Sequence, residues 1–294
     1  MTLDFMPITL DHGKAYNERF AMCSLQTSDY SLVNLWGWKE EYGLAWAWTN
    51  ELVWIKQTIP EEKWWAPVGR WQDRDWKGVF DRYVPIDTRL VRIPEDAALL
   101  WQEEMKTNIS IEEARSDWDY VYDVQALVTL SGNRYHKKKN LLNQFCKKYE
   151  YRYGAFTRDM IEAALDMQEN WCTWRDCESS GTLAAENRVI AKVLGAWQDL
   201  IGVMGGAIFV DRRMVAYTVA EVLPCGTLLI HFEKADPDFR GAYQAINQMF
   251  LAQLGNHAPV TVNREQDLGD EGLRKAKLSY HPVSFLKKYQ IIVC

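Results

Sequence analysis

Several short stretches of this sequence carry side chains that can bind ions or move protons. In IHFEKADPDFRGAYQAINQMF, Ile230 to Phe250, an apolar run ends in a proline turn and Arg240, Gly241 and Ala242 then open a helix. A helix start leaves backbone N–H groups without intrahelical partners and puts the positive end of the dipole behind them. Arginine adds a forked donor set suited to phosphate, so this turn is a candidate anion site. The plainer reading is that Gly241 eases close packing and Arg240 lies in solvent. Glu233, near the C-terminal end of the preceding apolar run, is the first candidate for a proton acceptor. A salt bridge with Lys234 or another basic residue would explain it equally well.

Further along, Asn263, Arg264, Glu265, Gln266 and Asp267 form a polar run at the end of an expected strand. Strand alternation would set Asn263, Glu265 and Asp267 on one face and Arg264 on the other. That trio would bind an ammonium group or cap the helix that follows. In that helix, DEGLRKAK, Arg274 and Lys277 are neighbours by spacing, and they suit a phosphate or carboxylate unless they are plain surface charge. Tyr280 and His281 close the stretch. Upstream, His136, Lys137, Lys138 and Lys139 offer a basic wall for a polyanion such as a tRNA backbone, with strong salt dependence, or else a solvated helix face. No Ser-His-Asp or Cys-His set can be assembled from motif spacing. The six cysteines show no Cys-x-x-Cys spacing and read as reduced packing residues, with no metal site.

The elements that must position these residues follow from composition and periodicity. The chain has 294 residues, 48% of them hydrophobic and 25% charged, the balance of a globular protein with a substantial core. A formal net charge of −6 argues against a surface coated all over for nucleic acid or acidic lipid. The sequence lacks a long uncharged apolar run and a signal-like N-terminus, so a cytoplasmic location is expected. Eleven of the fourteen tryptophans precede residue 134, which suggests two domains, 1–132 and 133–294. In the first, LAWAWTNELVWIK reads as a hairpin, and SLVNLWGWKEEYG, with Ser31 as N-cap, reads as a helix. Its tryptophans suit core packing or a glycan-stacking surface. The second reads in the order β-α-α-β-β-β-α-β-α-β, ending in a single strand, PVSFLKKYQIIV.

That order, with Arg-Gly-Ala after its fourth strand, resembles the GNAT N-acyltransferase fold. The strings LSGNRYHKKKNLLNQF, HFEKADPDFRGAYQAIN and NREQDLGDEGLRKAKLSYHP together resemble the phosphatidylglycerol lysyltransferase C-terminal-domain-like family, related to the Fem aminoacyltransferases. The resemblance implies an α+β chain of tandem GNAT-like domains with mixed sheets flanked by helices, the first domain degenerate. It implies acyl or aminoacyl transfer to an amine or hydroxyl, from acyl-CoA or aminoacyl-tRNA, with no resident cofactor. A tRNA or a lipid headgroup at a membrane surface would be the macromolecular partner. An oxyanion donor would then sit on the backbone near His231, Phe232 and Glu233. His231, Glu233 and Asn263 become the catalytic candidates, and Arg240, Gly241, Ala242, Glu265, Asp267, Arg274, Lys277 and Tyr280 the substrate-binding ones. The alternative is a non-catalytic protein of the same fold that binds a phosphate-bearing ligand.

Overall fold

The computed structural model describes residues 2–177, 180–255 and 259–294. Its contacts divide the chain into two compact units, and a single cut does not separate them. The first holds residues through Tyr120 together with Gln266–Arg274 and Phe285–Cys294; the second holds Val121–Glu265 and Lys275–Ser284. The strands in chain order are β1 (Met6–Pro7), β2 (Ala45–Trp48), β3 (Val53–Gln57), β4 (Lys63–Trp65), β5 (Arg89–Pro94), β6 (Ile109–Glu113), β7 (Asp119–Asp123), β8 (Tyr151–Ala155), β9 (Met204–Val210), β10 (Arg213–Val222), β11 (Leu228–Ala235), β12 (Thr261–Asn263), β13 (Ser284–Leu286) and β14 (Lys288–Val293).

They form two seven-stranded mixed sheets, ordered β1-β2-β3-β4-β5-β14-β6 and, from the opposite edge, β8-β9-β10-β11-β12-β7-β13. Both sheets have their parallel pair at the same place, β4 with β5 in one and β11 with β12 in the other. The antiparallel partner of β5 is β14, from the far end of the chain, while the matching partner of β12 is β7, from the first half. Strand order thus displays a duplication that residue identity conceals.

In the first unit Trp46, Trp54, Trp71, Trp76 and Trp101 are fully buried. These rings are core, where their area contributes most, and do not form a glycan-stacking surface. The expected hairpin forms between β2 and β3, and the Ser31 hydroxyl caps the helix Leu32–Gly37 by accepting from the Asn34 N–H at 3.1 Å. In the second unit the helix Ala242–Gln253 buries Ala242, Ala245 and Ile246 against Ile208, Val215 and Ala235 of the sheet.

Two expectations need correction. PVSFLKKYQIIV is two strands, β13 and β14, in different sheets. Local periodicity continues across Lys287, but the Lys288 side chain is fully buried in the first unit, so the chain changes sheets at that point. The cysteines are not all reduced, because Cys172 and Cys177 are joined by a disulfide. The helix Ile161–Arg175 ends on Asp176 in the left-handed conformation, which turns the chain back and brings the two sulfurs together without a recognised spacing motif. Among the described residues, no helix is long and apolar enough to cross a membrane.

Candidate functional site

The site is built where two parallel strands part. β11 and β12 pair only at Leu228↔Val262 and Leu229↔Asn263, after which β11 continues to Ala235. On its other side, β11 pairs with β10 through Val219↔Phe232 and Ala220↔Ile230, which leaves His231 as the extra residue of a β-bulge. Bulges of this kind re-aim side chains and backbone groups. His231 is buried, its Nε2 3.0 Å from Glu221 Oε1 and its Nδ1 3.3 Å from Glu265 Oε1. Burial alone would lower the imidazole pKa, but the hydrogen bonds to Glu221 and Glu265 overcome it and raise the value to about 9. His231 is therefore an imidazolium at neutral pH, a fixed positive charge and not a proton acceptor.

Beside it, Glu233 accepts from Arg264 Nη2 at 2.6 Å on one oxygen and from Asn247 Nδ2 at 3.1 Å on the other. The Arg264 guanidinium lies 5.1 Å from the centre of the Tyr280 ring. Burial opposes its charge, yet Glu233, Tyr122 and Tyr280 hold its pKa above the usual arginine value. Tyr280 is fixed by Gln244 Nε2, which donates to its hydroxyl at 3.1 Å, and by Tyr135, which donates to its carbonyl at 3.2 Å. Lys138 Nζ stands 4.1 Å from the centre of the same ring. Burial first, and the charge of Arg264 second, push the Lys138 pKa down. Lys277 donates to the carbonyls of Arg264 and Glu265 and so pins the turn that follows β12.

The polar run does not act as one face. Glu265 has a φ of 57°, which ends strand alternation there. Asn263 is fully buried and its Oδ1 accepts from the Glu265 N–H at 2.8 Å. Glu265 joins His231, while Asp267 lies in the first unit, bound by both Arg274 Nε and Nη2 at 2.8 Å and by the Tyr120 hydroxyl at 2.5 Å. The Asn263–Glu265–Asp267 trio is therefore not assembled. Arg274, in the first unit, is taken up by the Asp267 carboxylate, and Lys277, in the second, holds carbonyls.

At the Arg-Gly-Ala turn, Arg240 is exposed and Ala242 is buried with its N–H donating to Phe239 O at 2.9 Å. Gly241 has a φ of 92°, and a Cβ there would lie 2.3 Å from the Leu141 carbonyl oxygen. Close packing against the helix His136–Lys148 thus requires the glycine. His136, Lys137 and Lys139 are exposed, and of the four basic residues only Lys138 reaches the cluster. The sequence reading missed Arg264, Glu221, Asn247 and Gln244 as members of the site. Arg264 stood in a recognised motif, on the face opposite Asn263 and Glu265, but was given no role; the other three carried no local signal.

The fold and part of the sequence have counterparts. A conserved protein of unknown function from Bacteroides thetaiotaomicron is 27% identical, superposes with a TM-score of 0.88, and is matched over 99% of this chain and 100% of its own. FemX, 7% identical, gives a TM-score of 0.61 over 99% of this chain and 98% of that one. L-PGS from Bacillus licheniformis, 12% identical, gives 0.60 over 88% and 90%. The two mixed, helix-flanked sheets form an α+β chain with the fold of FemX. An uncharacterized protein from Mycoplasmoides gallisepticum is 26% identical over 201 residues, and the match spans 64% of this chain and 64% of that protein's length. The sequence profile described as "Phosphatidylglycerol lysyltransferase, C-terminal" matches residues 20–292, and the chain belongs to that family.

Proposed function

We propose that the second unit transfers an aminoacyl or acyl group to an amine or hydroxyl, from aminoacyl-tRNA or acyl-CoA bound as substrate, without a resident cofactor. The observation that carries this reading is the β-bulge at His231 placed where β11 and β12 part. A bulge frees backbone groups from the ladder, and N–H donors at this position suit an oxyanion that develops on the transferred carbonyl. The His231 charge, fixed by Glu221 and Glu265, adds to the same field. Glu233 takes the proton of the attacking group as that group bonds to the carbonyl carbon; the donor's ester or thioester bond breaks, and the proton passes to the departing ribose oxygen or CoA sulfur, with Arg264 and Asn247 holding the carboxylate in orientation. Family membership and the FemX-like fold support a transferase of this class.

A binding role without turnover is the second reading. It is favoured by the partners that His231 and Glu233 already hold. Both readings meet one experiment, in which purified protein is offered acetyl-CoA or charged tRNA with a panel of amine and hydroxyl acceptors. Transfer that falls by about 10²–10⁴-fold in Glu233→Gln, after correction for the folded fraction, supports the enzyme. Ligand binding with no product from any pair supports the binder, and undiminished transfer in Glu233→Gln removes Glu233 from the mechanism.

A further inference from the structure

The positive charge around Tyr280 exceeds what the protein itself neutralises. Arg264 is paired with Glu233. Lys138 has no carboxylate partner among the described residues, although it is drawn half out of water and held 4.1 Å from the centre of the Tyr280 ring. A desolvated ammonium is costly unless something compensates it, and an aromatic face compensates only in part. At the ring itself Arg264 and Lys138, set against Glu233, leave one positive charge in excess.

We propose that Lys138, Arg264 and Tyr280 form the seat for a singly charged oxyanion of the substrate, a carboxylate or a phosphodiester, with Lys138 as its principal donor. The seat is prepared on separate elements. Lys138 comes from the helix His136–Lys148, Arg264 from the turn after β12, and Tyr280 is held by Gln244 of the helix Ala242–Gln253. A single excess charge favours a monoanion over a doubly charged phosphate monoester, because the second charge would remain unpaired in a partly desolvated place. The depressed Lys138 pKa fits a group that lacks its counter-ion, and binding of an anion would return it toward the ordinary lysine value. The seat also explains why Lys138 alone of its basic run turns inward.

This inference takes the parted strands as a substrate site, as the proposed function does, but it is tested by binding without turnover. N-acetylglycinate, diethyl phosphate and glycerol 3-phosphate are titrated separately into the full chain at fixed ionic strength, and dissociation constants are read from the Tyr280 ring resonances. The expected result is that at least one of the two monoanions binds tighter than glycerol 3-phosphate, and that Lys138→Met weakens it roughly tenfold or more. Whichever monoanion binds better identifies the group as carboxylate or phosphodiester. Equal binding in wild type and Lys138→Met, absence of binding by both monoanions, or preference for the dianion overturns the proposal. Binding that depends on Lys138 in a protein with no transferase activity would refute the enzymatic reading and leave the seat standing.

Discussion

Each unit holds a buried cluster of charged side chains, and the two clusters are balanced differently. In the first unit Lys288 bonds to Asp29 and, at 2.7 Å, to Asp119, while Arg92 bonds to Asp29. Ser28 completes Asp119 through its backbone N–H at 2.8 Å and its hydroxyl at 2.7 Å. Lys288 and Arg92 are met by Asp29 and Asp119, with Asp117 close enough to interact with both cations, and Lys288, Asp29 and Asp119 are all but inaccessible, with side-chain exposures of 0%, 1% and 0%. In the second unit Arg264 remains 17% exposed, and it shares Tyr280 with a lysine that lacks a carboxylate. A closed cluster whose cations each hold a carboxylate has nothing left to offer an anion. An open one with a charge to spare does, and a buried cation is therefore evidence of binding only when its own partners fail to account for it.

The most severe way to break this comparison is Lys288→Met. It takes from Asp29 and Asp119 the cation they share and leaves Arg92 on Asp29, and removal of one partner from a buried ion network costs about 3–5 kcal/mol. Chemical denaturation of the variant measures the loss. A change below about 1 kcal/mol would mean that the first cluster is not structural in the sense argued, and the contrast between the units would fail.

What the sequence disclosed follows the reach of its signals. The strand, turn and helix from Ile230 to Phe250 were legible because apolar periodicity and the proline turn are local. The exchange that seats β14 beside β5 and β7 beside β12 was not, because pairing between distant strands leaves no mark on either one. Within the site, alternation was trusted one residue too far. It holds through Arg264, which reaches Glu233 from the face opposite Asn263, and fails at Glu265, where a left-handed residue turns the chain and Asp267 pairs with Arg274 instead. Nothing in the side chain of a glutamate announces a positive φ; the Lys277 ammonium on the carbonyls of Arg264 and Glu265, and Asn263 Oδ1 on the Glu265 N–H, show what helps hold that turn. His231 was recognised by type, but its protonation depends on Glu221, ten residues away in a neighbouring strand.

A smaller effect sharpens the contrast through acid titration. In the first unit, burial would raise the Asp267 pKa, but hydrogen bonds from Arg274, Tyr120 and the Gly269 N–H prevail and lower it to about 2. The folded value lies below the unfolded one near 3.9, so the stabilisation is fully present above about pH 4 and is lost as pH falls toward 2. The loss is on the order of 2 kcal/mol for this group. Denaturation of wild type and Asp267→Asn across that window should show the difference between them shrink as acid is added. A constant difference would mean that Asp267 contributes by shape alone.

The smallest predicted effect on stability is the most discriminating. Lys138→Met removes a cation as half-buried as its surroundings allow, yet the fold should lose no more than about 0.5 kcal/mol and should gain slightly at neutral pH. The reason is the sign of the shift. Burial and Arg264 lower the folded pKa of Lys138 below that of an unfolded lysine, so holding the proton costs the folded state stability at neutral pH. The cost fades as pH rises from the lowered value toward about 10.4, and the advantage of the methionine variant should fade with it. Urea denaturation at several pH values reads this directly. A loss above about 1 kcal/mol at neutral pH would place Lys138 with Lys288 among the structural cations. The predicted small gain would mean that the protein keeps a lysine its own fold disfavours, as a seat for an anion requires.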